Sequence, residues 1–378
     1  MQKVGIVTYY SIYNYGSVMQ AYALSETIKS LGYQPVLIDH ANLKKTWNKR
    51  IRVRVLFSRL SQLIFHPSLL QSTIKIKKTG KTDIVIRSLS QDKKFDAFLA
   101  EYFDYPESDY TKDKDYIAFV AGSDQVWQFS LPGLHYLFFL RFCEKSKRIS
   151  YAASFGATTV PKYNEKILRE YLDGFASISV RENVGIEIVQ NNSSNIATHV
   201  LDPVLLVEKS FWKQFSTGII TPSQYLIAYF LSNPASYVDS IREYAKANGL
   251  KVIWISTGHE TPIENEDVIE PSPREFLDYI DMSNFVCTDS LHGTEFAIVF
   301  HKQFITFPRK YKIVPEQHSR ITSLLRMTKL ESRLFDDNNA NWDNTIDYDY
   351  SESVLEELRG KSIDFLRNSL LMAMNGET

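Results

Sequence analysis

The chain has 378 residues, more than one ordinary domain needs, with 44% apolar and 23% charged residues and a formal net charge of −1. This is the composition of a soluble globular protein: no apolar run approaches the roughly 20 residues that cross a bilayer, and no overall basic excess seeks nucleic acid. Lys3 leads into a strand pattern and not into the apolar core of a signal peptide. The two cysteines, Cys143 and Cys287, lie in apolar surroundings and are expected as free thiols in a reducing, cytoplasmic compartment.

Val4 to Tyr9 is apolar and β-branched, a first strand. It runs out in Ser11-Ile-Tyr-Asn14-Tyr-Gly16-Ser17, after which Ala21, Leu24, Ile28 and Leu31 recur at helical spacing up to Gly32. Pro35 to Asp39 is the next strand. The chain thus opens as a βαβ unit in which Gly16 allows a tight turn and Ser17 caps the helix. The N–H groups at that helix start suit an anion or a sugar hydroxyl. Residues 41–115 are less regular. From Ala41 to Lys94 there are 14 Lys and Arg against Asp83 and Asp92, a local charge of +12, so the remainder carries −1 − 12 = −13. Trp47, Ile51, Val53, Val55, Leu56 and Leu60 interleave with these cations. Two readings are open: a solvated flap over a site, or a surface facing a membrane or a polyanion.

Tyr116 to Ala121 is an apolar strand that ends in Gly122-Ser123-Asp124-Gln125-Val126-Trp127, which puts Asp124 at a strand's carboxyl end. Arg148 to Ser154 is a strand, and Phe175 to Val180 another, followed by Arg181 at the start of a helix. A guanidinium there can fork onto a carboxylate or phosphate, or pair with Glu182 or Asp202. His199 to Pro203 closes a first half. Gln224 to Leu231, a helix over Tyr237 to Asn248, Lys251 to Ser256 and a helix over Pro273 to Asp281 then begin a second unit. Phe285 to Cys287 stops at the polar turn Thr288-Asp289-Ser290. Next come His292, Gly293 and Thr294, an apolar helical run to Phe300, and a strand over Phe304 to Phe307. In parallel sheets ligands bind at the carboxyl ends of strands, where Asp289, Ser290, His292 and Thr294 fall. His292, on an otherwise apolar helix, requires a partner. Arg320 enters a further helix through a polar turn, and Leu355, Leu358, Leu366 and Leu370 share one face of a C-terminal helix. The expected fold is α/β, with two Rossmann-like lobes facing a cleft. The first spans residues 1–205 with the basic insertion at about 41–115, and the second spans 206–378 with the C-terminal helix.

Three of these stretches, NYGSVMQAYAL, GSDQVW and TDSLHGT, resemble the polysaccharide pyruvyl transferase family, and matching segments run in family order from residue 5 to residue 333. The resemblance implies a GT-B-like architecture with the site between the lobes. It also implies transfer of a pyruvyl ketal from phosphoenolpyruvate to a sugar of a cell-surface polysaccharide or its lipid-linked precursor at the inner face of the membrane. Many members carry an arginine where this chain has Ser290, two residues before the histidine, so the anion-binding duty would pass to Arg320 or Arg181. The trianionic donor needs cations and N–H groups, and ketal formation needs a proton on the methylene carbon and a base for the incoming hydroxyl. His292 is the candidate acid, Asp124 the base, and Arg181 with Arg320 the charge clamp. Asn14, Gly16, Ser17, Gln20, Ser123, Ser154, Asp289, Ser290 and Thr294 complete the candidate binding set. No cofactor is expected, and no spacing suggests a metal site. Three alternatives remain: a GT-B glycosyltransferase using a nucleotide-sugar, an enzyme of this fold acting on another phosphorylated donor, and a non-catalytic carbohydrate-binding relative.

Overall fold

A computed structural model describes residues 1–39, 88–104, 116–129, 135–257, 267–309, 318–336 and 344–376, together with the single positions 64 and 342. The basic stretch is outside the described residues except for its end, and so are the expectations placed on residues 41–87.

The described residues form two all-parallel sheets. The first has the order β2-β1-β3-β4-β5-β6, built from β1 (Lys3–Val7), β2 (Gln34–Leu37), β3 (Tyr116–Ala121), β4 (Arg148–Ala153), β5 (Ser177–Val180) and β6 (Ala197–His199). The second has the order β11-β10-β7-β8-β9, from β7 (Tyr225–Tyr229), β8 (Lys251–Ile255), β9 (Asp267–Ile269), β10 (Phe285–Thr288) and β11 (Gln303–Thr306). The helices that matter below are α1 (Tyr15–Ser30), α2 (Leu89–Tyr102), α3 (Lys162–Leu172), α4 (Asn183–Asn192), α5 (Lys209–Lys213), α6 (Val238–Ala247), α7 (Pro273–Met282), α8 (Leu291–Val299), α9 (His318–Met327) and α10 (Tyr348–Asn375). The fold is therefore α/β with two Rossmann-like lobes, in the GT-B manner. Strand β9 carries too little apolar pattern to be read from the sequence: two of its three residues are exposed.

Each sheet has one point where the strand order reverses. In the first the chain steps from β1 outward to β2 and then to β3 on the other side, so the crevice opens between β1 and β3. In the second the equivalent point lies between β7 and β10, because β8 and β9 extend one way and β10 and β11 the other. Ligand sites in such sheets form at these switch points. Both are present here, and they face each other across the interface.

Several strands end earlier than the apolar runs suggest. β1 stops at Val7, since Thr8 and Tyr9 leave the ladder: the Gln20 amide donates to Thr8 Oγ1 and to the Tyr9 carbonyl, at 3.0 and 3.1 Å. Every residue of α8 is buried, as expected for a helix without a polar face. The lobes meet through α1, where the Tyr15 ring stacks on Phe276 of α7 at 4.3 Å. Helix α10 ties them together from behind. Tyr348 donates to the Ala297 carbonyl of the second lobe, Arg359 Nε donates to the Leu205 carbonyl at 2.8 Å, and Ser362 Oγ accepts from Leu201 N–H at 3.0 Å. Leu355, Leu366 and Leu370 are buried along its inner face. Both cysteines are free; Cys287 is buried and Cys143 half-buried.

Candidate active site

The turn after β3 sets the first wall. Gly122 and Asp124 both have positive φ, and Asp tolerates the left-handed region better than most residues because its short side chain bonds the local backbone. Here Asp124 Oδ1 accepts from the Gln125 N–H at 2.8 Å, and Oδ2 accepts from Ser17 Oγ at 2.5 Å. Arg181, at the carboxyl end of β5, donates to Asp124 at 3.3 Å and to Asp202 at 2.6 Å. Ser123 Oγ donates to Asp202 at 2.7 Å. Burial is the strongest influence on Asp124 and would raise its pKa. The Arg181 and His292 charges and the Ser17 and Gln125 donors outweigh it and hold the carboxyl below the usual range. Asp202 is held low in the same way, burial being offset by His292, Arg181 and Ser123.

The second wall is the start of α8. Ser290 caps it, its Oγ accepting from Gly293 N–H. Two residues after this cap, His292 Nε2 lies 3.8 Å from Asp202 Oδ2 of the other lobe. The ring edge carrying Nδ1 abuts α1: a Cβ placed on Gly16 would sit 2.0 Å from Nδ1. Gly16 therefore serves a close approach of helix to ring. It is a helical residue whose φ is not positive, and the tight-turn role expected for it is corrected accordingly. Behind His292 is Glu295, 1% exposed, whose carboxyl is driven well above the usual range by burial and then by Asp202. Among the described residues Asp202, His292 and Glu295 bring three potential metal-ligand atoms within 4.8 Å. Arg181 already supplies positive charge at Asp202, and burial pushes the Glu295 carboxyl up.

Between the walls lies a pocket of about 370 Å³. Asn14, Ser17, Asp124, Ser290, His292 and Arg320 line it, joined by Tyr9, Gln125 and Arg309. Gln125 and Arg320 face each other: with the amide oxygen turned to the guanidinium, the separations are 2.7 and 3.1 Å. Arg309 Nη donates to the Asp289 carbonyl at 3.0 Å, and its Nε lies 3.6 Å from the Asp289 carboxylate. It stands just past β11, beside the position of Ser290.

Asn14, part of the pocket lining, caps α1 through Ser17 N–H and so takes the capping role expected of Ser17. Other sequence candidates fall behind the pocket wall. Gln20 clips the β1 loop, and Ser154 Oγ accepts from Gly156 N–H. Asp289 is committed to the Leu231 N–H, at 2.6 Å, and to the Ser232 N–H and hydroxyl, at 2.9 and 2.5 Å. Thr294 Oγ1 donates to the Ser290 carbonyl and meets Thr306 Oγ1. Arg181 does not line the pocket; its guanidinium gathers Asp124 and Asp202 from below. Sequence reasoning missed Arg309, Asp202 as His292's neighbour, and Glu295. The rule that selected Arg181, a cation at a strand's carboxyl end, selects Arg309 equally well, and Glu295 is one helical turn from His292.

Two facing Rossmann-like lobes, with acid, carboxylate and guanidinium groups converging between their switch points, give the GT-B class of architecture. The polysaccharide pyruvyl transferase family model matches residues 14–311, and the chain belongs to that family. It is accordingly a transferase that modifies polysaccharide, with a saccharide acceptor and a pyruvate donor in general terms. None of the curated proteins matches the chain. Among solved structures it is similar to a mutant O-GlcNAc transferase of Thermobaculum terrenum, with TM-score 0.46 and 10% identity, covering 99% of this chain and 68% of that one. It is also similar to the Neisseria meningitidis UDP-GlcNAc 2-epimerase bound to UDP-GlcNAc, with TM-score 0.44, 11% identity and 98% and 100% coverage. The S. aureus MnaA–UDP co-structure gives TM-score 0.44, 13% identity and 100% and 92% coverage.

Proposed function

We propose that the protein transfers the pyruvyl unit of phosphoenolpyruvate onto two hydroxyls of one sugar, closing a cyclic ketal. The observation that carries this reading is the meeting of His292, Asp124, Arg309 and Arg320 in one pocket at the two switch points. Arg309 and Arg320 hold the donor's carboxylate and phosphate, and the N–H groups at the start of α1 assist. With Ser290 where an arginine was expected, Arg309 brings a guanidinium to the same place from the neighbouring strand. Arg181 organises the two aspartates.

In the reaction, His292 delivers a proton to the methylene carbon, which leaves C2 electron-poor. A sugar hydroxyl adds to C2 and Asp124 receives its proton. A carboxylate of lowered basicity suffices because the attacked carbon is cationic. The bond from C2 to the phosphate oxygen breaks, and the second hydroxyl adds in its place. Overall two C–O bonds form and one breaks, one hydroxyl proton ends on the methyl group, and the other leaves with phosphate. Asp202 behind His292 Nε2 stabilises the charged imidazolium.

The acceptor is proposed to be a lipid-linked saccharide presented at the cytoplasmic face of a membrane, with the cations between residues 41 and 94 meeting the anionic surface. No described helix is long and apolar enough to cross a membrane. The deciding measurement is thermal stabilisation by phosphoenolpyruvate compared with UDP-sugars, followed by phosphate release with a saccharide acceptor. Stabilisation by phosphoenolpyruvate that is lost in Arg320→Ala supports the reading. Stabilisation by nucleotide-sugars alone returns the protein to the glycosyltransferases.

A further inference from the structure

A second pocket, of about 530 Å³, lies beside the first at the carboxyl ends of β7 and β8, within the size range of small-molecule sites. The two share Ile12, Asn14 and Leu231 along their common border. Their chemistry is opposite. The first is lined by Asp124, His292, Arg309 and Arg320; the described lining of the second contains no charged side chain. Its walls are Tyr13, Tyr15 and Tyr229 with the hydroxyl-bearing Ser256 and Thr257, and Gln91 of α2 reaches in from the first lobe.

Gln91 is the informative residue. It is 1% exposed, and its Nε2 donates to the Tyr15 hydroxyl at 3.1 Å and to the Ser256 carbonyl at 3.0 Å. A carbonyl can only accept, so the Ser256 contact fixes which way the amide faces. The Oε1 that remains has no hydrogen-bond partner. A buried amide carbonyl left so is costly, and a small turn of the Gln91 side chain, already part of the pocket lining, would offer it to a ligand's hydroxyl. Beside it, Tyr13 is half-buried, backed by Phe95 at 5.5 Å, and Ile12 is 43% exposed at the border. An aromatic wall with an unmet acceptor fits a ring that has an apolar C–H face and outward hydroxyls.

From this division of charge we infer that the second pocket is the acceptor subsite, taking an uncharged pyranose unit that passes its hydroxyls across Asn14 toward His292 and Asp124. The assignment rests on the pyruvyl-transfer reading only for which substrate is the acceptor; the chemistry of the pocket stands without it.

The test uses the full chain and the methyl glycosides of glucose, galactose, mannose, N-acetylglucosamine and N-acetylmannosamine, observed by saturation-transfer NMR, with phosphoenolpyruvate binding followed separately. At least one neutral glycoside is expected to bind. Gln91→Leu and Tyr13→Ala should each weaken it about tenfold, the scale of one lost buried contact, while phosphoenolpyruvate binding is unchanged. Arg320→Ala should do the reverse. Because Gln91 is buried, Tyr13→Ala decides alone if the leucine variant does not fold. The assignment is overturned if none of the five glycosides binds, if glycoside binding ignores the folded variants, or if UDP displaces the glycoside and depends on the same residues. Glycoside binding mapped to Tyr13 with no phosphoenolpyruvate binding would sink the donor reading and leave this pocket standing. Intact phosphoenolpyruvate binding with no glycoside binding would do the opposite.

Discussion

His292 is central to the proposed chemistry because it is a second-lobe side chain set against the first lobe's Asp202. Replacing it with Asn keeps a polar side chain of related shape and removes the proton carrier; kcat should fall about 10²–10⁴-fold with the fold intact, and near-normal turnover at neutral pH would remove it from the mechanism. Glu295 yields a prediction about stability. Its folded pKa is raised above the unfolded value of a glutamate, with burial the main cause, so the native state holds a proton that the unfolded chain gives up. Unfolding then releases a proton, and the contribution of this group falls as pH rises through the unfolded pKa and continues to fall until the raised folded value is reached. Glu295→Gln mimics the protonated acid. Its stability relative to the parent should therefore increase as pH rises above the unfolded value of about 4 in paired denaturant titrations. A constant difference, or one that moves the other way, means the carboxyl is ionised in the native protein, as a metal ligand would be. At the donor end, Arg309→Lys keeps the charge and loses the fork, so it should raise KM for the donor more than it lowers kcat. An unchanged KM would take Arg309 out of the clamp.

At the scale of elements, the site is the meeting of two helix starts, α1 from the first lobe and α8 from the second. Gly16→Ala puts a methyl group into the His292 ring, 2.0 Å from Nδ1, in a contact between packed helices. The expected result is a loss of activity comparable to removing the histidine, with only a modest drop in melting temperature; full activity would mean that α1 and α8 part easily. This also marks what the sequence could and could not tell. The strand–turn–helix pattern located Asn14, Ser17, Asp124, Ser290 and His292, and all of them line one pocket. It could not separate residues that face the pocket from those that hold its walls. Asp289, Thr294 and Gln20 sit at the same kind of turn, yet their hydrogen bonds go to neighbouring backbone and hydroxyl groups, because a strand end has unpaired N–H and C=O groups that need partners wherever a ligand binds. For Arg181 the sequence left two readings open, a fork onto the donor or a pair with Glu182 or Asp202, and only the folded sheet shows that it lies against Asp202 and Asp124 together. Register across strands is a tertiary fact that local spacing does not contain.

The whole molecule was more legible than its site. Alternating apolar runs and helical stretches are enough to give two parallel sheets, since the buried strands of such sheets are continuously apolar. The order of the strands, and hence the facing switch points, was not visible, because nothing local says on which side of β1 the chain places β3. The same scale holds the charge asymmetry. The stretch from Ala41 to Lys94 carries +12 in a chain of net charge −1, so the rest of the protein is acidic. Under the proposed reading such a separation would orient the protein toward an anionic surface. Each Lys or Arg near an anionic leaflet contributes about 1 kcal/mol, so four or five of them give reversible binding that salt weakens. Changing Lys44, Lys45, Lys49, Arg50, Arg52 and Arg54 together to Gln should abolish co-sedimentation with phosphatidylserine liposomes at low salt, and neutral phosphatidylcholine liposomes should bind neither form. Turnover of a soluble saccharide should be unchanged, because the catalytic groups lie in the switch-point pocket, whereas turnover of a lipid-linked acceptor should fall. If liposome binding and the use of the two acceptors are both unaffected, the basic stretch is a solvated surface and the acceptor reaches the site from solution.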